Sequence, residues 1–211
     1  MSRFALSAAL VLASLGAHAA TLDAHVRDAL GAPLADAVVY AMPASGPAEA
    51  RSGRTAEVQQ VDREFVPYVT VVQTGTSVAF PNRDPILHHV YSFSPAKPFE
   101  IKLYSGKSPR EIVFDHPGVV TLGCNIHDWM VGYVLVVSTP WFGKSDESGH
   151  LRIADLPAGR YELRAWHPRQ RSQAAAQEVS LESQSALAPA FTVDAAPRKP
   201  RYKPPLDRLK Y

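Results

Sequence analysis

The chain has one cysteine in 211 residues. No intramolecular disulfide can staple it, so the disulfide-dense secreted scaffolds are excluded. After the first two dozen residues no apolar run approaches the roughly 20 residues that a membrane-spanning helix needs. Sustained 3.6-residue periodicity is also missing from the body of the chain, apart from a weak stretch near residues 173–178. That removes helix bundles and coiled coils. No Gly-rich phosphate loop, Ser-His-Asp order or carboxylate pair stands out, so the common nucleotide and hydrolase chemistries find no support. Neither charge sign dominates, with 22 basic against 20 acidic residues. The basic excess sits in a Pro-rich C-terminal stretch: Arg198, Lys199, Arg201, Lys203, Arg208 and Lys210 face only Asp207. The rest is mildly acidic, which argues against a nucleic-acid face.

The N-terminus reads as a secretory signal at residues 1–19. Arg3 is the short positive region, residues 4–15 are apolar, and Ala17-His18-Ala19 gives the small-x-small pattern with cleavage after Ala19. The mature chain is then periplasmic or secreted, with no membrane span. Export changes the meaning of the lone thiol. In an oxidising compartment it is a reactive group, half of an intermolecular pair, or a metal ligand. Residues 195–211 read as a basic, Pro-rich, disordered tail.

What is present gathers around that thiol. In Gly123-Cys124-Asn125-Ile126-His127-Asp128-Trp129-Met130, an imidazole follows the cysteine at the third position and a thioether at the sixth. A second imidazole is available upstream at His88-His89. Two His, one Cys and a weak axial Met are the donors of a blue-copper electron-transfer site. Strand alternation lets only one of the adjacent histidines point inward, although a bulge would exchange their faces. Met130 as a core filler is the competing reading, since thioethers pack well. In that case Glu100 is the first carboxylate to consider as fourth ligand. His116, His150 and His167 lie beside turns and read as exposed, while Tyr104, Tyr133 and Trp166 read as core or rim.

The body is a series of short β-branched and aromatic runs, among them residues 69–72, 78–80, 90–93, 101–104, 112–114, 119–122 and 131–137. Turn signals such as Gly75, Asp84-Pro85 and Pro117-Gly118 separate them. The expected class is all-β, with β-sandwich architecture.

Residues 51–138 resemble the cupredoxins, the small blue copper proteins such as plastocyanin and amicyanin. Gly75-Thr76-Ser77-Val78-Ala79-Phe80-Pro81-Asn82 looks like that family's Gly-Asp-x-Val-x-Phe-x-Asn element. Leu87-His88-His89-Val90 looks like its Pro-His-Asn-Val ligand segment, and Cys-x-x-His-x-x-Met has the short-loop spacing of amicyanin-like members. The extended Gly-Cys-Asn-Ile-His-Asp-Trp-Met run is especially similar to plastocyanin-like proteins often labelled methylamine-utilisation proteins. The resemblance implies a Greek-key β-sandwich and a metal site of His88, Cys124, His127 and Met130. It puts His89 in the position of the family Asn, bracing Asn125 in a second layer. It also places Asp128 near the solvent edge of His127, where a negative charge favours Cu(II).

The flanks carry a second resemblance. Asp28-Ala29-Leu30-Gly31-Ala32-Pro33, followed by Ala37-Val38-Val39, resembles the opening of a carboxypeptidase-regulatory or transthyretin-like β-sandwich. Ser145-Asp146-Glu147-Ser148-Gly149 and Leu156-Pro157-Ala158-Gly159-Arg160-Tyr161 resemble its later turn and closing strand. Residues 20–50 and 139–194 would then form one sandwich with the copper module inserted, the alternative being two consecutive domains. The implied function is single-electron transfer by one copper cycling between Cu(II) and Cu(I), with no catalysis. The implied partner is a redox protein such as a c-type cytochrome or a periplasmic oxidoreductase, and the implied state is a monomer. Copper carriage or storage, and a docking module without turnover, are the alternatives.

Overall fold

The computed structural model describes residues 19–48, 53–174 and 176–197. The expected signal segment, except Ala19, lies outside them, as does the tail from residue 198. The chain is all-β, with no helix among the described residues. Two strands open it, β1 (Ala20–Asp28) and β2 (Val38–Pro43). Ten follow: β3 (Thr55–Glu57), β4 (Gln59–Val61), β5 (Glu64–Val66), β6 (Val69–Gln73), β7 (Thr76–Ala79), β8 (His88–Ser92), β9 (Phe99–Tyr104), β10 (Ile112–Phe114), β11 (Gly118–Gly123) and β12 (Val131–Val137). Six more complete it: β13 (Phe142–Lys144), β14 (His150–Leu156), β15 (Gly159–Trp166), β16 (Gln177–Leu181), β17 (Ala186–Leu187) and β18 (Ala190–Val193).

Pairing sorts these strands into two sets. β14, β1, β17 and β18 form one sheet and β13-β2-β15-β16 another. Between them, alternate residues of β1 (Ala20, Leu22, Ala24, Val26) meet Tyr161, Leu163 and Ala165 of β15 in one core. The second set comprises β10-β7-β3, β6-β12-β11-β8-β9 and the β4-β5 hairpin. Its core joins Val78, Phe80, Val90, Phe114, Val120, Leu122, Val134 and Val136 with Cys124 and Met130. The second set thus runs in the chain between β2 and β13, which pair with each other.

β12 shows why its sequence is apolar without alternation. Val134 and Val136 face the core that holds Cys124. Leu135 and Val137 face the other way, meeting Val38 and Val69 in a third cluster between the two sets. Tyr133 reaches Trp166 there at 6.3 Å between ring centres, and Tyr68 edge-on at 5.4 Å. A strand buried on both faces has no solvent face to mark with polar residues.

The flanking motifs fold as turns held by side chains. Asp28 Oδ1 accepts from the N–H groups of Leu30 and Ala32, both at 2.9 Å. Asp146 Oδ1 accepts from the N–H groups of Ser148 and His150 at 2.8 and 3.0 Å. Gly149 has φ +76, and a Cβ there would lie 2.3 Å from the Val26 carbonyl oxygen, so only glycine fits. The Ser145 hydroxyl donates to the Leu34 carbonyl and accepts from the Ala37 N–H, tying the distant halves together. Tyr161 donates its hydroxyl to the Pro157 carbonyl at 2.9 Å, closing the Leu-Pro-x-Gly-x-Tyr corner.

Three expectations need correction. The weak helical pattern near residues 173–178 does not form a helix; residues 177–181 are strand β16, because pairing with β15 outweighs local propensity. Ala195 and Ala196, expected in a disordered tail, are bonded back to the body: Ala195 bridges Gln170, and Ala196 N–H donates to Arg169. His167 is buried, not exposed. Its Nδ1 accepts from the Arg169 N–H at 3.1 Å. Burial pushes its imidazole down to about 4, the Arg169 cation adds to this, and Asp36 with the Ala35 carbonyl opposes it.

The unfolded chain therefore takes up the His167 proton first. The contribution of neutral His167 to stability is full above about pH 6.5 and is lost as pH falls toward 4. Urea unfolding of the metal-free protein at pH 7.5 and pH 4.5 should show this. His167→Gln should shrink the acid loss by on the order of 2–3 kcal/mol. An unchanged pH dependence would show that another group is responsible.

Candidate metal centre

Three ligand-type side chains converge at the end of the second set. Gly123, the last residue of β11, pairs with Tyr91 of β8. Cys124 is thereby set beside β8, and the tight turn that follows brings His127 back, with Met130 N–H donating to the His127 carbonyl at 2.9 Å. Cys124 Sγ lies 3.9 Å from His88 Nδ1 and 3.6 Å from His127 Nδ1. Taken with one ligand atom each, His88, Cys124 and His127 fall within 4.8 Å of one another, all buried. A metal bound at about 2.0 Å to nitrogen and 2.3 Å to sulfur, at tetrahedral to trigonal angles, separates those atoms by roughly 3.5–3.7 Å. The donor set therefore fits one metal ion with borderline-to-soft preference. Met130 is fully buried in the same core.

The loop before β8 is held by a chain of side-chain bonds. Asn82 Nδ2 donates to the carbonyls of Ile86 and Tyr104 at 2.8 and 2.9 Å, and its Oδ1 accepts from Asp84 N–H at 3.0 Å. Asp84 Oδ2 then meets His88 Nε2 at 2.7 Å. The same carboxylate accepts from the N–H groups of Asp62 and Arg63 at 2.7 and 2.8 Å. These two residues form the β4–β5 hairpin loop with φ of 52° and 60°. Left-handed backbone costs about 1–2 kcal/mol for each side-chain-bearing residue, so two such residues are held here by what they bind. Burial pulls the Asp84 carboxyl upward, but the Arg63 N–H, His88 and the Asp62 N–H together keep it below its ordinary value. Nearby, the Tyr104 hydroxyl binds the Phe80 carbonyl and the Gln60 amide. Burial pushes that hydroxyl up to about 12; the Gln60 bond opposes this and Cys124 adds to it.

His127 is fully buried, and the Trp129 ring lies 5.1 Å from it between centres. The solvent edge expected for this imidazole is therefore absent. Asp128 itself is exposed. Burial, then the His88 and Arg63 charges, push His127 down to about 4 against the pull of Asp84. At neutral pH the ring is uncharged and keeps a lone pair for a metal.

The adjacent histidines are both buried, but only His88 joins the Cys124–His127 cluster. The β8–β9 register slips between His88 and Val90. His89 Nε2 bonds to Glu100 Oε1 at 2.9 Å, and its Nδ1 is buried without a hydrogen-bond partner. The expected brace to Asn125 is thus not formed. Asn125 is exposed and lines, with His89, Tyr91, Phe93, Phe99 and Glu100, a shallow hollow beside the centre. Glu100 serves His89 and does not approach the Cys124 cluster as a ligand. Asp84 and the Asp62-Arg63 turn were not among the sequence-derived site residues. The available signal was the spacing of Asp84 four residues before His88.

Gly123 has a steric reason. A Cβ there would lie 2.7 Å from the Tyr91 ring. Gly123→Ala should therefore displace Tyr91 and destabilise the fold by about 1–3 kcal/mol in chemical denaturation. Adding Tyr91→Ala should recover part of that loss, and additive losses would refute the contact.

No protein-family model matches the chain, and no curated protein matches it. Solved structures do. A purple cupredoxin from Nitrosopumilus maritimus is similar over 39% of this chain and 99% of its own, with 24% identity and a TM-score of 0.35. A copper-containing nitrite reductase from Thermus scotoductus SA-01 is similar over 46% of this chain and 25% of its own, with 26% identity and a TM-score of 0.38. An oxidised variant of amicyanin is similar over 48% of this chain and 99% of its own, with 18% identity and a TM-score of 0.36.

Proposed function

We propose that the chain is an exported, mononuclear blue copper protein that passes single electrons between redox partners. The convergence of Cys124 Sγ with the Nδ1 atoms of His88 and His127 in a buried pocket carries this reading. Met130, whose thioether comes from the same core, would be the fourth and weaker donor. Copper in such a set supplies a one-electron couple between Cu(II) and Cu(I). The protein's residues do the rest. Cys124 and the two imidazoles fix the donor geometry before metal arrives, and the surrounding apolar core excludes water. Four protein donors leave no position for substrate, which favours a carrier over a catalyst.

In the same reading residues 51–138 are a cupredoxin domain inserted into a transthyretin-like sandwich built from residues 20–50 and 139–194. The pairing of β2 with β13 and β15 across the intervening strands supports this. The partner is a redox protein of the c-type cytochrome or periplasmic oxidoreductase kind. Copper carriage or storage is the second reading, favoured by the complete burial of both imidazoles. Reversible voltammetric cycling without metal loss separates it from electron transfer.

Copper-loaded protein should show an intense thiolate-to-metal band and a narrow copper hyperfine splitting. Cys124→Ala should abolish the band. His88→Gly should alter it with rescue by imidazole, and His89→Asn should leave it nearly intact. An unchanged spectrum in Cys124→Ala would remove the site. Met130→Gln should lower the reduction potential and Met130→Leu should raise it, with copper retained in both. Equal potentials in both variants would make Met130 a core residue only.

A further inference from the structure

We propose that Asp84 is a positioning residue of the metal centre, holding His88 in the tautomer whose Nδ1 lone pair faces Cys124. This rests on the copper reading above and names how one of its ligands is aimed. The two ring nitrogens of His88 have different neighbours: Nε2 lies 2.7 Å from Asp84 Oδ2, and Nδ1 lies 3.9 Å from Cys124 Sγ. A carboxylate only accepts hydrogen bonds. A neutral imidazole bound to it must therefore carry its hydrogen on Nε2, which frees Nδ1 as donor to a metal. The ring cannot turn over without breaking this bond inside a fully buried site.

The carboxylate is itself aimed. Its Oδ1 accepts from Asp62 N–H and its Oδ2 from Arg63 N–H, so consecutive left-handed residues form a small anion nest around it. Asn82 Oδ1 fixes the Asp84 backbone from the other side. The hairpin loop thus orients Asp84, and Asp84 orients His88. A negative charge behind a ligand imidazole also raises its basicity and stabilises the more highly charged metal state.

Asp84→Asn keeps the shape but replaces one acceptor by a donor. With both backbone N–H groups and the imidazole arriving at the former carboxylate, the amide NH₂ must oppose at least one donor. The test compares wild type and Asp84→Asn by nitrogen-15 NMR of the histidine rings in the metal-free protein, and by zinc affinity and copper reduction potential in the loaded one. Wild type should show the Nε2–H tautomer at His88. The variant should lose it, bind Zn(II) about 10–100-fold more weakly, and show a raised potential while its unfolding midpoint stays cooperative. Should the variant not fold, the wild-type tautomer decides alone: an Nδ1–H ring at His88 overturns the proposal. A folded variant with unchanged tautomer and zinc affinity overturns it equally. A wild type that binds neither zinc nor copper refutes the metal reading, whereas the tautomer still reports separately on the hold of Asp84 on His88.

Discussion

The centre depends on one rung of backbone pairing, Gly123 with Tyr91 across β11 and β8. It fixes where the chain leaves β11, and so where the Cys124 side chain points relative to His88. Tyr91 can lie across that rung only because residue 123 has no Cβ. The turn that follows is short, so once Cys124 is placed His127 and Met130 have little freedom left. Strands supply the precision here, and the loop merely closes it, which suits a site whose donors must be in place before the ligand.

The second layer of constraint comes from polar side chains that the core tolerates because they are satisfied. Asn82 and Asp84 convert an irregular loop into a fixed one by bonding its own backbone and that of β9 and the β4–β5 turn. A buried polar network of this kind is costly when incomplete and rigid when complete. Two members near it are incomplete, Gln60 Oε1 and His89 Nδ1, and both sit within the same end of the second strand set.

The amino-acid order made the all-β class and most inner strands legible, because β-branched runs such as residues 69–72, 112–114 and 131–137 are bounded by glycine and proline. The motif turns at Asp28 and Asp146 were legible for the same reason: their side chains bond nearby backbone in any context. β3–β5 and β16–β18 were not, since segments such as Thr55–Glu57 and Gln177–Leu181 are short and polar and owe their extension to neighbours. His88, Cys124 and His127 lie together in the fold. The partners of those residues were hidden, because Asp84 reads locally as a turn former and its second function exists only once the Asp62-Arg63 turn folds against it.

Complete enclosure of His127 under Trp129 has a kinetic consequence. With no edge open to water, incoming ions and chelators cannot reach the imidazole by diffusion alone. Were the centre to hold a metal, its exchange would require the Cys124–Met130 turn to open as well as the metal bonds to break. A site of modest affinity would then behave as a slow one, and loading would be easiest while the chain is still folding.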